Sequence, residues 1–268
     1  MAHQQTTADA SRPPAPGQRR RQPTTRLRVS DVLRKISQIF GELLITGGIV
    51  LLLFVGWELW WTNVEADAKQ SEAIKSFAQE LTGPVEPAVP GTDYGPPVVG
   101  TAPSNGQTIG IMYIPRFGAT YTRPIIEGTG ADVLDTLGIG HYAGTSMPGA
   151  KGNFAVAGHR QTHGAVLDSI HTLVPGDRIY VQTPDGYYTY VFRNNQIVLP
   201  NRADVLLPVP TQPGAAPEES ILTMTSCNPR FGAQERIIAY SVLDSWQPSS
   251  AGPPSEIAAQ VAQAQGKG

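Results

Sequence analysis

The chain has 268 residues with a formal net charge of −2, 28 glycines, 24 prolines and a single cysteine. The nearly balanced charge excludes a global attraction to nucleic acid or to acidic substrates. The Pro and Gly content favours turns and linkers over a helical bundle. One cysteine cannot form a disulfide within the chain. In a domain outside the cytoplasm it is either a free reactive thiol or an intermolecular link.

The N-terminal third predicts a tail, a membrane helix and a spacer. Residues 1–29 are polar, aperiodic and rich in Pro, Gln and Arg, which is typical of a disordered tail. Residues 30–82 lack proline and predict one long helix. Within it, residues 43–61 form a run of 19 residues with one charge, Glu58. About 20 such residues span a bilayer, and this run ends in the three tryptophans expected of an interfacial belt.

The orientation of this predicted anchor follows from its flanks. Residues 1–41 carry eight Arg and Lys residues against two Asp, so the positive-inside rule places the N-terminus in the cytoplasm and the following domain outside. A cleaved signal peptide is one alternative, because residues 66–68 read Ala-Asp-Ala, but the apolar run is longer than such peptides use. A buried core helix is the other, although few soluble helices are apolar on all sides over this length.

Two further segments predict little regular structure. Residues 83–107 contain six prolines with glycines between them, which predicts a semi-extended spacer that holds the next domain away from the membrane. Residues 247–268 are rich in Pro, Ser and Gly and then in Ala and Gln, which predicts a flexible C-terminal tail.

Residues 108–246 consist of short β-type runs separated by turn signals, and they predict an all-β catalytic domain. Strands are predicted at residues 109–114, 121–126, 153–157, 178–183, 187–192, 197–199, 220–226 and 236–243, and short helices at 131–137, 165–173 and 203–207. The sequence Pro184-Asp185-Gly186 predicts a hairpin turn. About eight strands in a domain of this size indicate a small closed or nearly closed β-barrel.

The lone cysteine, Cys227, ends a predicted strand and precedes the turn signal Asn228-Pro229. A strand end that opens into a loop is where a rigid scaffold displays a catalytic group, although a buried structural cysteine is the common alternative. A thiol needs a base or a cation nearby to become a good nucleophile near neutral pH. The histidines are therefore the next candidates.

The sequence has five histidines: His3, His141, His159, His163 and His171. His159 directly follows the predicted strand 153–157, which would fix the position of its ring, whereas His141 precedes Tyr142 in a Gly-rich loop. Taken alone, each histidine is more often structural than catalytic. A lone cysteine with scattered histidines is a poor zinc signature, so we expect no metal and no cofactor. No phosphate loop and no aromatic-plus-basic patch for nucleic acid is evident.

Three motifs together resemble the sortase family. They are TMTSC at residues 223–227, AGHR at 157–160, and an arginine, Arg236, nine residues past the cysteine. The family's cysteine motif is Thr-Leu-x-Thr-Cys, so this chain has Met for the leucine, which conserves volume, and Ser226 for the threonine, which keeps the hydroxyl. The resemblance covers about 140 residues and, through the loop at 140–160, is strongest to class E sortases of actinobacteria.

This resemblance implies a closed eight-stranded barrel and a two-step acyl transfer. The cysteine of a sortase attacks the Thr–Gly carbonyl in the C-terminal sorting signal of a secreted protein, which is Leu-Ala-x-Thr-Gly for class E, and the acyl group then passes to an amine on a cell-wall precursor. Carried over to this chain, the catalytic residues are Cys227, His159 and Arg236. We further predict that Ser226, His141 and Tyr142 bind substrate. The predicted protein is thus a membrane-anchored enzyme acting outside the cell.

Strand pairing selects the same arginine by a separate argument. The run ending at Cys227 and the run starting at Arg236 flank a loop of eight residues, so these two residues are predicted to close an antiparallel hairpin. Opposed residues share a face, with Cβ atoms about 5 Å apart, which places a permanent cation beside the thiol. Arg230 lies inside the loop and has no such constraint. A bulge or a one-residue slip would turn Arg236 to the other face.

Two other functions remain open at this point. An L,D-transpeptidase also uses cysteine and histidine on a β-rich domain, but it needs a Ser-His-Gly-Cys motif, and the residues here are Met224-Thr225-Ser226 before the cysteine. An anchored binding domain without catalysis is the second alternative.

Overall fold

The computed structural model describes residues 28–81 and 83–267, with only the backbone at Leu59. The predicted disordered tail therefore lies outside the described residues except at positions 28 and 29. The chain divides into two compact units, Met1–Leu53 and Phe54–Gly268. The first unit contains the N-terminal part of a long helix, and the second contains the rest of that helix and the β domain.

The long helix α1 covers Val29–Glu80, within two residues of the prediction at each end. It is the one helix in the described part of the chain that is long and apolar enough to cross a membrane, and its most apolar window has no residue buried inside the protein. Leu52 and Leu53, for example, are 71% and 68% exposed. Apolar side chains exposed on all sides of a helix suit a lipid environment, so α1 is a candidate membrane anchor.

Eight strands form a closed barrel, as predicted. They are β1 Thr108–Tyr113, β2 Thr122–Glu127, β3 Ile139–His141, β4 Gly152–Ala157, β5 Arg178–Gln182, β6 Gly186–Val198, β7 Ser220–Asn228 and β8 Glu235–Pro248. Their order around the barrel is β1-β2-β3-β4-β7-β8-β6-β5. The predicted hairpin turn joins β5 and β6, where Thr183 N donates to Gly186 O at 2.8 Å.

Short helices connect the strands of the barrel or follow its last strand. They are α2 Ala131–Leu134, α3 Ala258–Ala264, and 3-10 helices at Pro115–Phe117, Asp168–Thr172, Ala203–Leu206, Ser249–Ala251 and Ser255–Ile257. Each of the three predicted short helices is present in a shorter form.

Two strand predictions need correction. The runs at 187–192 and 197–199 belong to one strand, β6, which continues through a bulge between Phe192 and Asn194. The exposed polar residues at the bulge interrupt the alternation, so the sequence suggests a break there. The third strand, β3, is missing from the prediction because it has only three residues, one of them Gly140, and such a run carries little strand signal.

Strand β1 is buried on both faces, because elements outside the barrel cover its outer face. Met112 belongs to the cluster that fills the barrel, whereas its neighbours Ile111 and Tyr113 belong to a second cluster with Ile74 and Phe77 of α1. Successive side chains of a strand point to opposite faces, so one face of β1 lines the barrel and the other packs under α1.

The predicted spacer at residues 83–107 is not free. It forms no helix or strand among its described residues, but Ala88 N donates to Pro253 O at 2.9 Å. Trp246 Nε1 donates to Gly95 O at 2.8 Å, and Tyr188 OH donates to Val98 O at 2.6 Å. The segment is therefore packed against the β domain and is not an independent linker, because its backbone is hydrogen-bonded to that domain.

The expectation of a flexible tail at 247–268 is wrong. Strand β8 continues to Pro248, and Ile257 and Val261 are fully buried against the cluster that contains Ile74. These two residues are four apart and lie on one face of a short helical segment, so they cover apolar surface together. The Ala- and Gln-rich composition conceals this pair.

Candidate active site

The hairpin of β7 and β8 places Cys227 directly opposite Arg236. The pairing runs without a register shift, and Asn228 and Glu235 also pair, so the connecting loop is residues 229–234 and not the predicted 228–235. Directly opposed residues of an antiparallel pair point to the same face. The predicted Cys227–Arg236 pair is thus confirmed, although the last pair of the two strands is Asn228–Glu235.

The strand on the other side of β7 leads directly into the loop that carries His159. Strand β4 runs parallel to β7 with Ala157 opposite Thr225, and Gly158 N donates to Thr225 O at 3.1 Å. The ladder ends at this pair, and His159 lies two residues beyond Ala157, as Cys227 lies two residues beyond Thr225. The thiol and the guanidinium thus lie on the paired strands β7 and β8, and the imidazole follows the end of β4, which flanks β7 on its other side.

Ser226 points the other way and links the two strands. It is buried, and its hydroxyl donates to Gly158 O at 2.8 Å. Side chains alternate along a strand, so the outward position of Cys227 goes together with the inward position of Ser226. This arrangement does not present Ser226 to a substrate, because its hydroxyl is hydrogen-bonded to the neighbouring strand.

The imidazole of His159 has a carboxylate partner that the sequence analysis did not identify. Its Nε2 lies 2.7 Å from Oδ1 of Asp135, the residue that follows α2, and the two side chains are 29% and 39% exposed. A carboxylate on one ring nitrogen fixes the orientation of the ring and its tautomer. Because Nε2 is engaged, Nδ1 is the nitrogen left for proton transfer.

Arg160, the last residue of the AGHR motif, ties the histidine loop to the cysteine strand. It is only 5% exposed, and its Nη1 donates to Cys227 O at 3.1 Å and to Asn228 Oδ1 at 2.6 Å. Burial lowers the pKa of this guanidinium, while the charges of Asp168 and Cys227 raise it. A buried cation so close to the cysteine backbone positions the strand end and adds positive potential at the thiol.

The two arginines weighed from the sequence have different partners. Arg230 forms two hydrogen bonds with the carboxylate of Asp168, at 2.7 and 2.5 Å, and is 53% exposed. Nη1 of Arg236 donates to the carbonyl oxygens of Ala233 and Glu235, at 3.0 and 2.9 Å. Carbonyl oxygens orient a guanidinium without neutralising its charge, whereas a carboxylate does neutralise it. The geometry therefore favours Arg236 as the cation available to a developing oxyanion.

His141 occupies a closed environment. Its side chain has no exposed surface, its Nδ1 lies 2.6 Å from Glu127 Oε2, and its Nε2 lies 2.9 Å from Thr145 Oγ1. A peptide cannot reach this ring in the described state, so the predicted substrate contact is not present for His141. Tyr142 is half-buried and its OH lies 3.0 Å from Thr225 Oγ1, which places its ring beside β7.

The loop that carries His159 is anchored by the C-terminal part of α1. Asn63 Oδ1 accepts a hydrogen bond from Gly164 N at 2.8 Å, and Gln70 Nε2 donates to His163 O at 3.3 Å. Within the loop, Leu167 N donates to His159 O at 2.9 Å. The helix that continues from the candidate anchor thus contributes to the support of the histidine.

Known proteins share this arrangement. Residues 112–244 match the family described as Sortase domain. The chain is 36% identical over 229 residues to Sortase SrtE1 of Streptomyces coelicolor, a match that covers 82% of this chain and 61% of that protein's length. It is 31% identical over 231 residues to Sortase SrtE2 of the same organism, covering 81% of this chain and 86% of SrtE2.

A solved structure supports the same assignment. Sortase E1 from Streptomyces coelicolor, determined with a tripeptide in the active site, is similar with a TM-score of 0.52 and 36% identity, over 59% of this chain and 99% of that one. The chain belongs to the sortase family of cysteine transpeptidases, so the resemblance seen in the sequence is confirmed. Within that family it is similar to the class E enzymes, as expected. These matches favour a sortase over an L,D-transpeptidase or a non-catalytic binding domain.

Proposed function

We propose that this protein is a membrane-anchored sortase that cleaves a Leu-Ala-x-Thr-Gly-like signal at the C-terminus of a secreted protein, between Thr and Gly. It then joins the new C-terminus to an amine on a cell-wall precursor. The observation that carries the proposal is the Cys227–Arg236 register pair, with His159 two residues past the end of β4, the strand that pairs with β7 on its other side. The tripeptide in the active site of the related Sortase E1 supports a peptide substrate.

In the first step, the Cys227 thiolate attacks the carbonyl carbon of the signal's threonine. The carbonyl oxygen takes up negative charge, which the Arg236 guanidinium stabilises. The C–N bond to glycine then breaks as His159 gives a proton to the departing amine. The products are a thioester between Cys227 and the substrate's threonine, and a released peptide that begins with glycine.

In the second step, the acceptor amine attacks the thioester. His159, now neutral, accepts a proton from the amine as the new amide bond forms, and Cys227 leaves as the thiolate. The enzyme returns to its starting protonation state without a cofactor. Asp135 holds the ring of His159 through its Nε2, and Arg160 holds the strand end that carries Cys227.

The membrane topology belongs to the same proposal. The basic residues before the apolar run place the N-terminus in the cytoplasm, and the domain that follows α1 lies outside the cell, where sorting signals and cell-wall precursors meet. External protease on intact protoplasts should remove the catalytic domain. Full protection of that domain would contradict this topology.

The reaction is tested with the full chain in detergent. We expect mass spectrometry to show that a Leu-Ala-x-Thr-Gly peptide is cut after threonine and joined to an added amine, faster than a Leu-Pro-x-Thr-Gly peptide. A Cys227→Ala variant is the control and should form no product and no acyl-enzyme. Cleavage at another bond, or equal activity in the control, would overturn the proposal.

A further inference from the structure

Three metal-binding side chains meet beside the active site. Asp135, His159 and His163 each offer one ligand atom, and these atoms all lie within 4.8 Å of one another. The two imidazole centroids are 5.0 Å apart. His159 and His163 are separated by three residues, a His-x3-His spacing that the sequence analysis overlooked when it predicted no metal site. Cys227 is not part of this cluster.

A second observation at His163 supports a ligand at this position. Its Nδ1 is buried and has no hydrogen-bond partner among the described residues. A buried polar atom without a partner is unfavourable, and a metal ion or another ligand would relieve that cost. The backbone at His163 has φ 54°, a left-handed conformation that non-glycine residues seldom adopt. The hydrogen bond from Gln70 to His163 O helps hold it there.

The site also has room for an ion. Asp135 and His163 line a cavity with Glu65 and Lys69 of α1. Lys69 donates a hydrogen bond to Glu65 at 2.9 Å, so the carboxylate of Glu65 offsets the charge of the lysine. The electrostatic barrier to a cation at this position is therefore reduced.

The donor set selects the class of metal. Two imidazole nitrogens and one carboxylate oxygen suit zinc and similar divalent transition metals. Ligand atoms that surround a tetrahedral zinc ion at about 2.0 Å lie about 3.3 Å from one another. The three ligand atoms here all lie within 4.8 Å of one another, so no two of them have to move closer by more than about 1.5 Å. Oδ1 of Asp135 and Nε2 of His159 are already 2.7 Å apart. Both side chains are partly exposed, so they can move by the amount needed to surround an ion.

We propose that Asp135, His159 and His163 form a binding site for a divalent transition-metal ion such as Zn²⁺, and that its occupation reversibly inhibits the enzyme. The inhibitory part rests on the proposed function, in which His159 transfers protons. A neutral imidazole has one nitrogen lone pair, and a metal ion at Nε2, the nitrogen that faces Asp135, would take it and leave the ring proton on Nδ1. His159 therefore cannot accept a proton at Nδ1 while the ion is present. The ion also takes the Asp135 carboxylate away from its orienting role.

Binding is measured first, in a way that does not depend on catalysis. Full-length Cys227→Ala protein is titrated with Co²⁺, and Zn²⁺ is added in competition. We expect ligand-field bands without a thiolate charge-transfer band. His163→Ala and Asp135→Asn should each weaken binding by at least about 10- to 100-fold, since losing a ligand costs no less than losing an outer-shell partner. His171→Ala, an exposed histidine on a 3-10 helix, is the matched control and should bind as before.

Inhibition is measured next, with each protein's rate normalised to its own metal-free rate. Zn²⁺ should inhibit the wild type and His171→Ala, a chelator should restore both, and His163→Ala should need at least about tenfold more Zn²⁺. Unchanged Co²⁺ binding in both His163→Ala and Asp135→Asn would overturn the site. Unchanged Zn²⁺ inhibition in His163→Ala would show that zinc acts on the Cys227 thiol, which would overturn the inhibitory role even if the site binds metal.

Discussion

Arg160 Nη1 donates a hydrogen bond to the carbonyl oxygen of Cys227 at 3.1 Å, although the two residues are 67 positions apart in the chain. The residue that follows His159 thus holds the backbone of Cys227. The same Nη1 donates to Asn228 Oδ1, and Asn228 in turn donates to Glu235 at the base of the β7–β8 loop. The histidine loop and the cysteine hairpin are therefore one hydrogen-bonded unit.

Replacing Arg160 should lower the reactivity of Cys227 as well as stability. Arg160→Met keeps much of the volume but leaves two acceptors without a donor, a cost of about 1–3 kcal/mol in the free energy of unfolding. It also removes a positive charge close to Cys227, so alkylation of Cys227 by iodoacetamide at neutral pH should slow. Arg160→Lys should recover part of the alkylation rate. A variant that is less stable but alkylates at the wild-type rate would mean that Arg160 is only structural.

Arg236 and Arg230 should differ sharply in their effect on transpeptidation. Arg236→Ala should lower kcat by about a hundredfold or more, because it removes a charge-assisted donor to the oxyanion. Arg236→Lys should rescue only part of the rate, since lysine lacks the planar fork of donors. Arg230→Ala breaks a surface ion pair worth about 0–1 kcal/mol and should leave kcat near normal. An active Arg236→Ala beside an inactive Arg230→Ala would reverse the assignment.

His159 and Asp135 should act as a pair in the rate of the reaction. His159→Ala should lower kcat by at least about a hundredfold, as the loss of a general acid–base does. Asp135→Asn keeps the shape but weakens the hold on the ring, so we expect a smaller fall in kcat with KM unchanged. In the His159→Ala background, Asp135→Asn should have no further effect, because its role passes through the ring. Additive losses in the double variant would contradict this coupling.

His141 should matter for stability and not for chemistry. His141→Ala leaves the Glu127 carboxyl group, itself 5% exposed, without its hydrogen-bond partner, and leaving such a buried group unsatisfied costs about 1–3 kcal/mol. The variant should unfold at a lower denaturant concentration while its folded fraction keeps near-normal kcat. Full stability with lost activity would instead make His141 part of the catalytic machinery.

The β domain should need the end of α1 and the C-terminal segment in order to fold. Ile74, Phe77, Ile257 and Val261 bury apolar surface against Tyr180 and its neighbours in one cluster. At about 1.5–3 kcal/mol for each buried side chain, their loss removes on the order of 6–12 kcal/mol, comparable to the whole stability of a domain.

Truncation tests this estimate directly. A fragment of residues 108–246 contains all eight strands of the barrel and lacks only the last two residues of β8. This fragment should show a broad thermal transition or aggregate. A fragment of residues 62–267 should unfold cooperatively and should be the better soluble enzyme. Equal Tm values for the two fragments would show that the second cluster contributes little.

The sequence by itself determined the features that depend on neighbours along the chain. The candidate membrane helix follows from a continuous apolar run, and the Cys227–Arg236 pair follows from two strands joined by a short loop, where few registers are possible. The number and spacing of strand-like runs indicate a small β-barrel, although two of those runs form the single strand β6 and β3 has no predicted counterpart. In each case the physical cause lies within a few residues of its effect.

Only the tertiary structure decided what surrounds these features. Asp135 reaches His159 across 24 positions and Arg160 reaches Cys227 across 67, and no periodicity or spacing rule connects residues that far apart. The C-terminal tail looks flexible by composition, yet it packs because the barrel leaves an apolar outer face on β1 for α1 and Val261 to cover. The spacer is held instead by hydrogen bonds to residues far along the chain, such as the one from Trp246 Nε1 to Gly95 O. Burial depends on which surface arrives from elsewhere in the chain, and that information exists only once the chain has folded.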